Sequence, residues 1–404
     1  TKLIQIVAEK LQVPSSFVSV AEYHSETPPN PVSTGASVAT ELNGGAALKT
    51  ASSAFDEFSS HFKSYWNLLT RSPTDEADQL FSGDRKLQTL FLRLSTNSGE
   101  YQYPSFWNSD NLASSVHTCR EAYEVAPTKE NATKLAEATR LFELESKELK
   151  SLWSALCAQL EISRSTLLFS AHCNVEGVTS ISPTNGRGDP DMYESYAAGI
   201  AQVEVDMLTG EVDITKAKVI FDAGESLNPA IDIGQIEGAF VQGCGLMTSE
   251  EMLYDEDGRN ITNSTWNYKV PFAKSIPRKF YVDMYPTNKK LIDEEFRNGF
   301  EYREQKREQT RNNKTVMSSK STGEPPIVVS ISVFQAIRDA LRSHQDRMYF
   351  KFAADQTPEQ GIISFTDAPA TVSRIQQAAR CIVSSNQQFG PNYISLTGSL
   401  SHEQ

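Results

Sequence analysis

The residue in this sequence best suited to chemistry is Glu324, set between Gly323 and the step Pro325-Pro326. Two consecutive prolines fix the local backbone and offer no N–H, so the direction of the carboxylate is held, as a general base requires. The same position suits a helix N-cap, where an acid complements the positive end of the helix dipole. Spacing alone leaves both readings open. Three other places gather hydrogen-bond donors: Thr34-Gly35-Ala36-Ser37 at an expected helix start, Gln235 among the glycines at 234, 238, 243 and 245, and Ser319-Lys320. A turn rich in glycine and hydroxyls that leads into a helix is a ready anion site, most often for phosphate. Together these donors and one carboxylate suggest a cofactor with a phosphate tail and a polar ring system, with Glu324 at the reacting end.

The elements that must position these residues follow from periodicity. Leu3, Ile4, Val7 and Leu11 share one helical face, and Pro14 is expected to stop that helix. Val18 and Val20 alternate and predict a short strand over Phe17–Ala21, followed by a run of helix breakers over 27–37. A helix is expected from Val38 to Leu69, with Phe55, Phe58, Phe62, Tyr65 and Leu69 as its buried stripe. Residues 75–148 turn polar and show one recognisable helix, Ala132–Trp153, while 291–314 is dense in charge with almost no apolar period. Residues 199–222 alternate on both sides of Thr209-Gly210-Glu211, which predicts an antiparallel hairpin. Asn228-Pro229 breaks the second strand, and a helix over Ile233–Glu251 turns Ile233, Ile236 and Phe240 inward. Each glycine inside that helix costs about 1 kcal/mol against alanine, so something is expected to pack close to its backbone. After the prolines a helix over Ile327–Leu341 is expected to bury Val328, Ile331, Phe334, Ile337 and Leu341.

Composition narrows the function. The 404 residues carry 51 acidic against 38 basic side chains, a formal charge of -13, which argues against nucleic acid as a partner. No apolar run approaches the roughly 20 residues that span a bilayer, so no membrane role is expected. The cysteines at 119, 157, 173, 244 and 381 and the six histidines show no metal-ligand spacing, and the thiols read as small buried hydrophobes. The sequence lacks an initiator Met and opens inside a helix, which leads us to expect a piece of a longer chain. The end, Ser401-His-Glu-Gln404, is not a peroxisomal address, so cytoplasm is the default.

The run Asn228-Pro-Ala-Ile-Asp-Ile-Gly-Gln-Ile-Glu-Gly-Ala-Phe-Val-Gln-Gly243, with Ser319-Lys-Ser-Thr-Gly-Glu-Pro-Pro326 and Phe334-Gln-Ala-Ile-Arg-Asp339, resembles the carboxyl-terminal part of xanthine dehydrogenases and aldehyde oxidases, the molybdenum hydroxylases. Thr34-Gly-Ala-Ser-Val38, Leu42-Asn-Gly44 and Asp367-Ala-Pro-Ala-Thr371 fit the same family, and the resemblance extends over 1–50, 165–290 and 315–375. It implies an α+β fold of antiparallel or mixed strands flanked by helices, with 1–74 and 149–404 forming part of the molybdopterin-binding domain. Residues 75–148 and 291–314 then read as insertions.

The resemblance also implies roles. Glu324 falls on the family's active-site base. Gln235 falls on a cofactor-contacting glutamine, and Thr34, Ala36, Ser37 and Thr40 fall on the loop that hydrogen-bonds molybdopterin. Gly35, Ala36 and Thr322 would lie near the substrate, and molybdenum would be held through molybdopterin, not by side chains. Ala39 departs from the family, where serine is common, so one hydrogen bond to the cofactor is expected to be missing. The implied function is hydroxylation of a purine such as hypoxanthine or xanthine, with water as the oxygen source. An aldehyde oxidase acting on aldehydes and N-heterocycles is the first alternative, and a catalytically silent scaffold, motivated by Ala39 and the insertions, is the second. The full enzyme would also carry 2Fe-2S clusters and FAD, bound elsewhere in the chain, and would form a homodimer. The family's substrate-gripping residues fall outside this sequence, so the 404 residues alone are expected to be inactive, and the electron acceptor, a nicotinamide or oxygen, stays open.

Overall fold

The structure is a computed structural model, and it describes residues 1–22, 24, 34–71, 80, 81, 84–97, 100–104, 119, 120, 126–174, 178–285, 314–352 and 368–384. The breaker-rich stretch up to residue 33, the charged segment 291–313 and Asp367 therefore lie outside the described residues. The chain forms two compact units.

The first unit takes residues 1–192 with 313–318. Helix α1 (Lys2–Leu11) buries Ile6 and Ala8 and ends at Gln12, whose left-handed φ of 54° closes the last turn before Pro14 is reached. The strand expected over Phe17–Ala21 does not form: Ser15–Phe17 is a 3-10 turn, and Val20 stays 75% exposed. Val18 is extended, but alternation makes a strand only where a partner backbone accepts its hydrogen bonds, and no described strand pairs here. Helix α2 (Gly45–Arg71) follows a π-helical turn at Thr40–Gly44 and buries the expected Phe58, Phe62 and Tyr65.

Helix α3 (Arg85–Leu94) starts at Asp84, whose carboxylate accepts from the N–H groups of Lys86 at 2.9 Å and Leu87 at 3.2 Å. It leads into a two-residue antiparallel pair, β1 (Thr96–Asn97) and β2 (Glu100–Tyr101). Helix α4 (Lys129–Ile162) is capped by Thr128 and runs well past the expected Trp153. Leu149, Leu152, Leu156 and Leu160 on α4 are fully buried, and Trp153 meets Phe58 and Phe62 edge-on with ring centroids 5.8 and 6.4 Å apart. The stretch that reads as polar thus supplies Leu90, Phe91 and Leu94 to the core beside Phe62.

The second unit takes residues 193–312 with 319–404. Strands β3 (Ala197–Val205) and β4 (Val212–Phe221) form the expected hairpin, with a bulge at Gln202/Val203. Strand β5 (Lys279–Met284) joins β4 in parallel and gives the sheet order β3-β4-β5. A parallel neighbour needs a long crossover, here the helix α5 (Pro229–Thr248) and the loops after it, which explains why local alternation did not reveal the pairing. Helices α6 (Pro325–Val329), α7 (Ile331–Phe352) and α8 (Val372–Ser384) complete this α+β unit. Ala217, Val219 and Phe221 of β4 pack with Ile236 and Phe240 of α5 and with Phe334, Ile337 and Leu341 of α7.

The single helix expected over Ile327–Leu341 is broken at Ser330, whose hydroxyl donates to the carbonyl of Ile327 at 2.6 Å. The break resets the buried register to Val333, Phe334, Ile337 and Leu341. Val328 and Ile331, expected inside, are 70% and 47% exposed.

Burial pushes the Cys244 thiol up to about 12 and that of Cys157 up to about 11, so both are protonated and unreactive at neutral pH. Iodoacetamide at pH 8 is expected to leave Cys244 unlabelled until urea unfolds its unit; labelling at the rate of a free thiol would contradict the burial. For the first unit, Phe62→Ala is expected to lower stability by roughly 3–5 kcal/mol, read from the urea midpoint.

Candidate functional site

Glu324 is exposed and occupies the N-cap position of α6, but its side chain makes no capping hydrogen bond. A side-chain cap is therefore not how this carboxylate is used, although it does stand at the positive end of α6. What holds it in place lies just before it, at four consecutive residues.

Ser319 forms a β-bridge with Gly224, and the Lys320 N–H donates to the carbonyl of Ala223 at 2.8 Å. The Lys320 ammonium donates to Asp222 at 2.6 Å and to the carbonyl of Glu194 at 2.8 Å. Its side chain is only 7% exposed, so the pair is desolvated, and removing one partner would leave a buried charge at a cost of about 3–5 kcal/mol. The Ser321 N–H donates to the Tyr193 hydroxyl at 2.9 Å. Thr322, 5% exposed, donates its hydroxyl to Asp232 at 3.2 Å. Beyond Glu324, Pro325 and Pro326 supply a rigid exit. Lys320, read from sequence as a donor for a ligand, is instead committed to the interior, and Ser319 is buried.

Asp232 lies in the first turn of α5 and is 2% exposed. Its second carboxylate oxygen accepts from the Ser226 hydroxyl at 2.6 Å. The Asn228 side chain caps the same helix by accepting from the Ile231 N–H at 3.1 Å. One turn on, Gln235 is exposed.

The glycines of α5 fall into two classes. A Cβ at Gly243 would come within 2.5 Å of the Ile327 carbonyl oxygen and also meet Ser330, and one at Gly245 would meet Pro271 at 2.6 Å. These two answer the expected close packing. Gly234 and Gly238 do not, because a Cβ at either would meet nothing within 4 Å. The helix is thus left bare and exposed on the face that carries Gln235.

In the first unit, Thr34, Gly35 and Ala36 are exposed, and Ser37, Ala39 and Thr40 are half-buried. Ala36 and Ser37 take left-handed φ values of 51° and 56°, a conformation that costs non-glycine residues about 1–3 kcal/mol each and that concentrates at ligand clamps. The turn is closed by the Val38 N–H on the Gly35 carbonyl at 3.3 Å, and the Leu42 N–H then reaches Val38 at 3.0 Å. The π-helical turn from Thr40 continues it, a local irregularity also frequent at functional sites. Among the described residues no group of three or more His, Cys, Asp or Glu could hold a metal ion.

Sequence reasoning missed Asp222, Asp232, Tyr193 and Tyr196. Tyr196, whose ring lies 5.9 Å from the Lys320 ammonium, has its hydroxyl donated to Glu194 at 2.6 Å. An acid in the first turn of a helix reads as a dipole complement, and only its distant partners reveal that Asp232 is a tether.

A family model described as the molybdopterin cofactor-binding domain matches residues 1–124 and 119–277. The indole-3-acetaldehyde oxidase of Zea mays is 35% identical over 237 residues, which cover 58% of this chain and 15% of that protein. The xanthine dehydrogenase/oxidase of Gallus gallus is 39% identical over 194 residues, 48% of this chain and 12% of that protein. The chain therefore spans a small part of the curated relatives it matches. The aldehyde oxidoreductase of Desulfovibrio gigas aligns over 94% of this chain and 27% of its own, with TM-score 0.52 and 15% identity, a likeness of fold.

The two glycine classes separate in a stability measurement. Gly238→Ala is expected to raise the urea midpoint, since it adds about 1 kcal/mol of helix propensity and meets no atom. Gly243→Ala is expected to lower it by about 1–3 kcal/mol, because Ile327 and Ser330 must move.

Proposed function

Since the chain belongs to the molybdopterin cofactor-binding domain family of the xanthine dehydrogenase and aldehyde oxidase relatives, we propose that it forms part of the catalytic domain of a molybdenum-dependent oxidoreductase. The observation that carries this reading is the exposed Glu324 carboxylate, which caps nothing and stands on a backbone anchored at each of the four residues from Ser319 to Thr322.

The residues present fit the cofactor. The exposed, side-chain-free face of Gly234 and Gly238 would let a flat polar group lie against α5, and Gln235 supplies an amide donor and acceptor on the same face. Thr34, Ala36, Ser37 and Thr40 would hydrogen-bond molybdopterin through hydroxyls and backbone N–H groups, and the strain at Ala36 and Ser37 supports a binding role for their turn. Ala39 brings no hydroxyl to that set. When bound, the cofactor supplies a molybdenum centre that takes up two electrons from the substrate.

The chain's own contribution is a proton acceptor. The Glu324 carboxylate would take one proton as water-derived oxygen is transferred to substrate, and its fixed backbone keeps it at one place through turnover without a reorganisation cost. Gly35 and Ala36, exposed and with little or no side chain, would leave substrate access open in their turn.

For the substrate we propose an aldehyde or an electron-poor N-heterocycle, in keeping with the aldehyde oxidase names among the relatives. A purine, the first expectation from sequence, is the second reading, favoured by the 39% identity to the chicken protein. In the longer enzyme, 2Fe-2S clusters and FAD would carry the electrons away, and a cytoplasmic homodimer is the assembly we propose. No helix of the described residues is long and apolar enough to cross a membrane.

Glu324→Gln in the molybdenum-loaded enzyme is expected to lower kcat at least a hundredfold with molybdenum content unchanged, the usual scale for loss of a general base. Unchanged turnover would remove Glu324 from this role, and an enzyme that never acquires molybdenum would favour the silent scaffold.

A further inference from the structure

Thr322 sits two residues before Glu324, yet its hydroxyl is turned inward: the residue is 5% exposed and donates to Asp232 at 3.2 Å. Asp232 is itself buried, and its other oxygen accepts from Ser226 at 2.6 Å. The carboxylate begins the helix whose next turn presents Gln235. Asp232 thus joins the loop before Glu324 to the helix of Gln235, in addition to the packing of Gly243 against Ile327 and Ser330 after it. Those two segments are remote in sequence, so nothing local fixes their separation. Burying a carboxylate is expensive unless its oxygens are hydrogen-bonded, and it holds its donors more tightly than a neutral acceptor would.

We propose that Asp232 is a positioning residue for the reaction, acting through Thr322, and that the Thr322 hydroxyl is a tether rather than a substrate contact. The Ser226 hydroxyl donates to one carboxylate oxygen and the Thr322 hydroxyl to the other. Losing the Thr322 bond frees the Gly323–Glu324 step to shift relative to Gln235, and misplacement of a catalytic group by about 1 Å costs on the order of a hundredfold in rate. This inference rests on Glu324 being the proton acceptor.

The test uses Thr322→Val, which removes the hydroxyl at nearly constant shape, and Thr322→Ser, which restores it. In the molybdenum-loaded enzyme Thr322→Val is expected to lower kcat between about 10-fold and 100-fold, with KM within about twofold and molybdenum content unchanged. Thr322→Ser is expected to recover most of the loss. In the same chain without cofactor, amide hydrogen exchange at residues 322–324 should be faster in Thr322→Val and normal in Thr322→Ser. A raised KM at unchanged kcat in Thr322→Val would make Thr322 a substrate contact and overturn the proposal. So would unchanged kinetics, or equal loss in both variants. Should Thr322→Val fail to fold, Ser226→Ala loosens the same carboxylate from the other side and is expected to lower kcat with KM retained; unchanged kcat there overturns the proposal. Glu324→Gln run in parallel separates the two claims, since full activity in that variant sinks the base assignment whatever Thr322 does.

Discussion

The site depends on one physical constraint, the burial of the Lys320 ammonium and the Asp232 carboxylate, each of which must be matched by a polar partner. Asp222 takes the ammonium of Lys320 and Asp232 takes the hydroxyl of Thr322. Neither buried charge is stable unmatched in the interior, so these bonds hold the loop from Ser319 to Thr322. Glu324 follows closely and inherits that fixed backbone, while its own side chain is left in solvent and makes no capping hydrogen bond. The buried polar groups thereby carry the architecture, and the exposed one is left in solvent.

The same division appears in the glycines of α5. Gly243 and Gly245 allow the helix to pack against Ile327, Ser330 and Pro271, whereas Gly234 and Gly238 face no protein atom within 4 Å. Helix stability is given up at two positions for packing and at two positions for space. The turn at Ala36 and Ser37 in the first unit holds two consecutive non-glycine residues in the left-handed region without ending a helix there, unlike Gln12 at the end of α1.

Much of this was legible in the sequence where the signal is local. The hairpin around Gly210 and the stripe of Phe58, Phe62 and Tyr65 follow from period within a few residues, and so does the helix expected over Ile233–Glu251, which starts earlier, at Pro229, because Asn228 caps it. Glu324 stood out because proline and glycine act on their immediate neighbours. What stayed hidden is long-range. The Thr322 and Asp232 partners are 90 positions apart, and Lys320 and Asp222 are 98 apart, so each reads locally as an ordinary surface residue. The parallel pairing of β5 with β4 likewise has no local signature. The amphipathic face of α3, with Leu87, Leu90, Phe91 and Leu94, was local but masked by the polar average of the residues around it. The break at Ser330 was missed because its hydroxyl competes for a backbone carbonyl inside an otherwise continuous helical pattern.

The claim that buried polar anchors fix the backbone before Glu324 is tested most directly by the reactivity of Lys320. Reductive methylation of the native protein, followed residue by residue in mass spectrometry, compares it with the exposed Lys216 and Lys279. The account predicts that Lys216 and Lys279 react fully while Lys320 stays unmodified until its unit unfolds. Modification of Lys320 at the rate of those surface lysines would contradict it.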